Sequence, residues 1–254
     1  MTKTIVLSND KVHFGTLLLV NALCPVKYEN KRGLIPINQD YPDILLNCDA
    51  ANALQSVFDK ISAGNDIVSV SGYRSFTEQA EIYNNSLRQN GAAFTEKFIA
   101  APGRSEHQTG LAIDLALNKQ DIDFICPEFP YGGVCDKFRQ TACNYGFIER
   151  YPSNKETLTG ISHEPWHFRY VGYPHSKIIK EKGLAFEEYI EFIKSYSDDS
   201  RFTFAGEQGV KIEIYYIPAR SEKTSVSIPK ECIYQISGNN KDGFIVTIRG
   251  ERRD

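Results

Sequence analysis

At 254 residues, the chain is long enough for one large domain or a main domain with an appendage. Its 29 basic and 32 acidic side chains are mixed throughout, for a net charge of −3. No basic stripe argues for nucleic acid as a partner, and no long charge run argues for a disordered tail.

Residues 12–26 are apolar in patches, but His13, Gly15, Asn21 and Pro25 interrupt them. The stretch is too short and broken for a membrane span, and Leu23-Cys24-Pro25 is a poor cleavage site. Residues 16–21 are expected to form a buried strand, and the protein to remain in the cytoplasm. Six cysteines (Cys24, Cys48, Cys126, Cys135, Cys143, Cys232) show no Cys-x-x-Cys spacing and read as buried or partly buried thiols. Cys126 and Cys135 bracket a loop and can pair under oxidation.

Asp49 reads as an N-cap, followed by Ala53, Leu54, Val57, Phe58 and Ile61 at helical spacing, with Gly64 as the stop. Ile67-Val68-Ser69-Val70-Ser71 then reads as a strand ending at Gly72. Ser75 and Glu78 make a capping box for a second helix, with Ile82, Tyr83 and Leu87 on its apolar face. Arg74 is thereby held at a strand-to-helix junction, where its guanidinium and the free amides both favour negative charge. Gln79, one turn on, can supply amide donors to the same anion. The plainer alternatives are a surface ion pair for Arg74 and a solvated glutamine.

The segment Ser105-Glu106-His107-Gln108-Thr109-Gly110 leads into residues 111–117, where Leu111, Ile113, Leu115 and Leu117 alternate with Ala112, Asp114 and Ala116. That period of two predicts a strand with Asp114 on the face opposite the large apolar side chains, between two alanines. In the later segment, Trp166, Phe168 and Tyr170 share one face and His167 takes the other. Pro165 biases Glu164 away from helix, so Glu164 and His167 need not obey strand parity. Two imidazoles (His107, His167) and one carboxylate (Asp114) match the composition of a catalytic zinc site that keeps an open position. Glu164 is near enough to act on a water there without being a ligand. A sheet floor is implied, unlike the helical His-Glu-x-x-His zincins. The competing reading is a buried histidine hydrogen-bonded to an aspartate. His163 is the weaker ligand candidate, expected beside the site or at the surface.

Residues 118–135 carry Pro127, Pro130, Gly132 and Gly133 alongside Phe124, Ile125, Phe129 and Tyr131. A long aromatic loop after the Asp114 strand reads as a lid, or alternatively as an Ω-loop packed on itself. Asp136 is expected to cap a helix that Gly146 stops. Residues 147–151 read as a strand and residues 184–196 as the last helix. From about residue 202 alternating patterns take over, with a hairpin loop at residues 239–243. The predicted division is a catalytic domain over 1–198 and a small C-terminal β-rich unit over 199–254.

Ser71-Gly72-Tyr73-Arg74-Ser75, Ser105-x-His107-x-x-Gly110-x-Ala112-x-Asp114 and Glu164-Pro165-Trp166-His167 together resemble the VanX/VanY zinc D,D-peptidases of glycopeptide resistance, the bifunctional VanXY branch most of all. The resemblance covers roughly residues 17–196 and does not extend to the C-terminal β unit. It implies an α+β fold with a central antiparallel sheet and flanking helices. It also implies Zn2+ on His107, Asp114 and His167, Glu164 as catalytic base, and Arg74 as stabiliser of the oxyanion. Gln79 and Ser105 become contacts to the terminal D-alanine. The implied substrates are the D-Ala-D-Ala dipeptide and UDP-linked muramyl pentapeptide, whose hydrolysis would remove vancomycin's target. The alternatives are an L,D-endopeptidase of lysin type on the same fold, or a non-catalytic, zinc-stabilised peptidoglycan-binding module. The presence of Glu164 weighs against the second.

Overall fold

A computed structural model describes residues 1–29, 31, 33–220 and 222–250. The chain forms two compact units, one from Val20–Ala185 and the other from Met1–Leu19 together with the chain from Phe186 onward.

The larger unit is built on a four-stranded antiparallel sheet, in the order Ile67–Ser71, Ala112–Leu117, Glu164–Tyr170, Phe147–Tyr151. The two middle strands set the register of everything that follows, because Asp114 lies directly opposite His167. One face of the sheet carries Ile113, Leu115, Phe147, Trp166 and Phe168, as the period of two requires. It packs on Leu54 and Val57 of the helix Cys48–Ile61 and on Phe138 of the helix Gly133–Ala142. Phe129, Phe138 and Phe168 meet edge to face there, with ring centroids 4.9–5.8 Å apart. The opposite face is left for polar groups.

The helix termini follow local chemistry with small displacements from the sequence expectation. Asn47, not Asp49, caps the first helix, its side chain accepting from the Asp49 N–H. Ser62 in the left-handed conformation ends it, two residues before Gly64. The helix Phe76–Asn90 begins with both halves of the Ser75/Glu78 capping box in place. Asp136 sits in the first turn of a helix that starts at Gly133, favouring its positive end without capping it.

Residues 16–21 do not form the expected strand. Leu17 and Leu19 are buried, but their N–H groups are satisfied singly, by Ser237 Oγ at 2.9 Å and the Asn239 carbonyl at 3.1 Å. A side-chain hydroxyl and a loop carbonyl serve those two N–H groups in place of a strand ladder.

The second unit has a sheet in the order Ile233–Gly238, Gly243–Arg249, Lys211–Pro218, Phe202–Ala205. It also holds an antiparallel pair running from Thr2↔Pro229 to Ser8↔Lys223. Tyr215, Val226, Ile228, Val246 and Ile248 form its core. The expected hairpin is present, with Asn239 Oδ1 accepting from the N–H groups of Lys241, Asp242 and Gly243. The division therefore falls elsewhere than residue 198. The first strand pairs with one near the other end of the chain, and the helix Phe186–Lys194 joins the same unit. Among the described residues, no helix is long and apolar enough to cross a membrane.

Candidate metal centre

Three elements bring the polar face of the sheet to one point. His107 sits in a short 3-10 turn, Glu106–Thr109, that ends at Gly110 with φ +70°. That backbone conformation favours glycine and turns the chain directly into the Asp114 strand. Asp114 and His167 face each other across the two central strands, 2.8 Å apart from Oδ1 to Nδ1. Asp114 Oδ2 lies 3.1 Å from His107 Nε2. One potential ligand atom from each of His107, Asp114 and His167 lies within 4.8 Å of the others, and all three side chains are buried. Ala112 and Ala116, fully buried, leave the space beside Asp114 open.

The imidazoles are fixed from outside the group. His107 Nδ1 is 2.6 Å from the Gly72 carbonyl, which accepts its N–H and leaves Nε2 as the unprotonated nitrogen turned to the centre. Glu164 enters from the edge of the same strand as His167, with Oε2 3.9 Å from His167 Nδ1. A register irregularity opposite Pro165, between Glu149 and Tyr151, moves Glu164 onto the His167 face despite its odd spacing.

Arg74 reaches in from the strand-to-helix junction. Its Nε donates to Ser71 Oγ at 2.9 Å, Nη1 to Gln79 Oε1 at 3.2 Å, and Nη2 to Asp114 Oδ2 at 2.8 Å. Gln79 Nε2 donates onward to the Ala100 carbonyl at 2.7 Å. Gln79, Ser105, Phe124, Ile125 and Trp166 line a cavity of about 40 Å³ around the group. His163 lies outside it, its Nε2 2.7 Å from the Tyr131 hydroxyl, beside Glu149. The six cysteines are free thiols.

The electrostatics divide these groups sharply. Burial lifts the Glu164 carboxyl to about 8, with Asp114 and Glu106 adding to the rise. Burial would lower His167, but the hydrogen bond to Asp114 and the nearby Glu106 carboxylate carry it up to about 9. His107 falls to about 4 through burial and the Arg74 guanidinium. Asp114 is held well below the usual carboxylate range despite burial, chiefly by His107 and then by His167. Two imidazoles and a carboxylate of low proton affinity, buried and preformed around a small polar space, are a donor set suited to a divalent ion of the zinc type.

Glu106 is the residue that the sequence reading passed over. It is buried, and its Oε1 accepts from Arg150 Nε at 2.8 Å and Arg169 Nη1 at 2.7 Å, both fully buried arginines. Against the opposing effect of burial, they hold the Glu106 carboxyl well below its ordinary range. The available signal was two arginines in otherwise apolar strand segments with one acidic residue inside the His107 motif.

Residues 43–173 match the VanY family, described as D-alanyl-D-alanine carboxypeptidase. The chain belongs to this family. The bifunctional D-Ala-D-Ala dipeptidase and carboxypeptidase VanXYC of Enterococcus gallinarum is 43% identical over 183 residues, 70% of this chain and 95% of that one. A crystal structure of the vancomycin-resistance D,D-dipeptidase VanXYg, bound to a D-Ala-D-Ala phosphinate analogue, superposes with a TM-score of 0.97 at 58% identity. It covers 98% of this chain and 100% of VanXYg, so the similarity includes the C-terminal β-rich part. A mutant of the D,D-pentapeptidase VanY from a VanB-type cassette, in complex with Zn(II), gives a TM-score of 0.57 at 30% identity over 69% of this chain and 98% of that one. The sequence resemblance to VanX/VanY D,D-peptidases and the α+β class are thus borne out.

Proposed function

We propose that this VanY-family chain hydrolyses the terminal D-alanyl-D-alanine bond of the free dipeptide and of UDP-linked muramyl pentapeptide. Removal of that terminus would give vancomycin resistance. The observation that carries the reading is the convergence of His107, Asp114 and His167 beside a buried Glu164. We assign those three residues to one Zn2+ and the chemistry to the unit Val20–Ala185. Zinc bound there supplies a Lewis acid that polarises the peptide carbonyl and makes water easier to deprotonate.

The chain's own residues do the rest. Glu164, with a carboxyl lifted towards neutrality, accepts the proton of the attacking water at Oε2 and returns it to the leaving amine. Arg74 offers guanidinium N–H groups to the carbonyl oxygen as negative charge develops there. Gln79 and Ser105, on the cavity wall, donate to the carboxylate of the terminal D-alanine. Because the pentapeptide precursor is nucleotide-linked, this assignment puts the reaction in the cytoplasm.

The test is D-alanine release from the dipeptide and from UDP-muramyl pentapeptide, before and after chelation and after zinc is restored. Release from both, lost with the metal and recovered with it, is the expected result. Release indifferent to exhaustive chelation would reject the metal assignment. Cleavage only at an L,D bond of assembled wall peptide would reject the D,D assignment.

A further inference from the structure

The two imidazoles present opposite nitrogens to the centre, His107 its Nε2 and His167 its Nδ1. Each needs its other nitrogen protonated for that. A backbone carbonyl, Gly72 O, meets the requirement for His107. For His167 the outward nitrogen faces Glu106, with Nε2 and Oε2 3.6 Å apart. Both atoms are buried, and neither has a hydrogen-bond partner. An unpaired buried donor and an unpaired buried acceptor aimed at one another each carry a desolvation cost that one hydrogen bond removes. Closure by less than about 1 Å brings them to ordinary N–H···O length.

We propose that Glu106, anchored by Arg150 and Arg169, is a positioning residue that fixes His167 as its Nε2–H tautomer and so keeps Nδ1 free for the metal. This rests on the assignment of zinc to His107, Asp114 and His167. The plane of the His167 ring is already set by packing, with the His107 and Tyr151 rings at centroid distances of 4.9 and 5.1 Å. Only the choice of protonated nitrogen is left open. Glu106 is suited to make it. Its Oε1 is committed to two arginines that approach from the strands Phe147–Tyr151 and Glu164–Tyr170. Its Oε2 is therefore held on the side of the ring away from Asp114, where it acts on the ligand and does not become one. A carboxylate behind a ligating imidazole also makes that imidazole a stronger donor. The two arginines balance the added negative charge inside the protein.

Glu106→Gln keeps the size of the side chain but leaves one oxygen to serve both sides. With two arginine donors competing for that oxygen, the amide NH2 turns to His167 and favours the wrong tautomer. Zinc affinity, measured by competition with a chromophoric chelator, is expected to fall by roughly 10–100-fold. The wild type alone supplies a second readout. Long-range 1H–15N spectra of the zinc-loaded protein should show the His167 proton on Nε2. A proton on Nδ1 of zinc-loaded wild type would overturn the proposal. So would a Glu106→Gln protein that melts lower yet binds zinc as tightly as wild type, since that describes a structural role alone. Wild-type protein that binds no zinc would overturn the metal assignment and this proposal together. Tight wild-type binding that survives Glu106→Gln would leave the assignment standing and remove only the role of Glu106.

Discussion

Arg74 and Asp114 form a partly buried ion pair in which Nη2 donates to Oδ2 at 2.8 Å, and the same Nη2 lies 2.8 Å from His107 Nε2. The guanidinium thus occupies two of the lone pairs that a metal would take. Zinc bound on the proposed ligands would take those lone pairs in its place, and the guanidinium N–H groups would then face a substrate oxygen.

Arg74→Ala should therefore leave zinc affinity unchanged or raise it, because a competitor is lost and no ligand is. Turnover should drop by about 2.7–4 kcal/mol of transition-state stabilisation, by analogy with a missing oxyanion donor. Zinc content and kcat measured on the same preparation separate the two effects. A mutant that loses zinc would make Arg74 a support of the ligands instead.

Glu164→Gln should retain the metal and lose nearly all D-alanine release. Its Oε2 is 3.9 Å from His167 Nδ1, close enough to serve a water between them but not committed to a ligand. His167→Ala should instead lose most of the zinc, because one of three donors is gone. The contrast between these mutants, read by metal analysis, is the informative result. Normal turnover in Glu164→Gln would refute the base assignment.

The protonation of the site predicts how the metal-free protein responds to pH. His167 stands at about 9 against an ordinary 6.5, so its protonated form is favoured by folding. That contribution is fully present below about 6.5 and is lost as pH rises through about 9. Glu164, at about 8 against 4.5, is also favoured protonated and loses its contribution as pH rises to about 8. His107, lowered to about 4, works in the opposite sense, but only below 6.5. Between about 6.5 and 8 the two raised groups act together and unopposed. The melting temperature of chelated protein should fall across that window. Zinc bound as proposed would require His167 to give up a proton, so affinity should rise with pH by up to about tenfold per unit until about 9. Scanning calorimetry with chelator and with zinc checks both signs. Chelated protein more stable at pH 8 than at pH 6.5 would contradict them.

Much of this centre was legible because its parts obey local rules. Asp114 and His167 follow the period of two, and Gly110 marks the turn that aims His107. The capping box at Ser75 fixes the start of the helix behind Arg74. Glu164 breaks strand parity, and Pro165 was the clue to it. What stayed hidden depends on partners far away along the chain. Glu106 acquires meaning only when strands bearing Arg150 and Arg169 are set side by side. The first strand, Thr2–Ser8, finds its partner at Lys223–Pro229, and no periodicity announces that pairing. Residues 16–21 looked like a strand because burial and β-propensity coincide there, yet no neighbouring strand supplies a ladder.

The loop at residues 118–135 is expected to act as a cap whose working part is its tip. Its ends are tied down. The Leu117 N–H donates to the Glu128 carbonyl at 2.8 Å, and Lys119 pairs with Glu128. Phe129 is buried in the core, and Arg139 donates to the carbonyls of Phe129, Pro130 and Pro165. Tyr131 donates to Glu149 at 2.5 Å. Between these anchors the tip carries Phe124, 48% exposed, with its ring centroid 5.9 Å from the Arg74 guanidinium carbon. Phe124 and Ile125 also line the cavity. A closed tip can surround a dipeptide on all sides, whereas a pentapeptide must leave part of itself outside. Removing the tip while keeping Glu128 and Phe129 should therefore raise KM for the dipeptide more than for the pentapeptide. Zinc content and the melting temperature should hold nearly constant, since surface loops tolerate length changes. Hydrogen exchange should be faster at residues 121–126 than in the strand Ala112–Leu117, and should slow when a phosphinate dipeptide analogue binds. Equal effects on both substrates, or a tip already protected without ligand, would make the loop a packed surface element with no part in substrate choice.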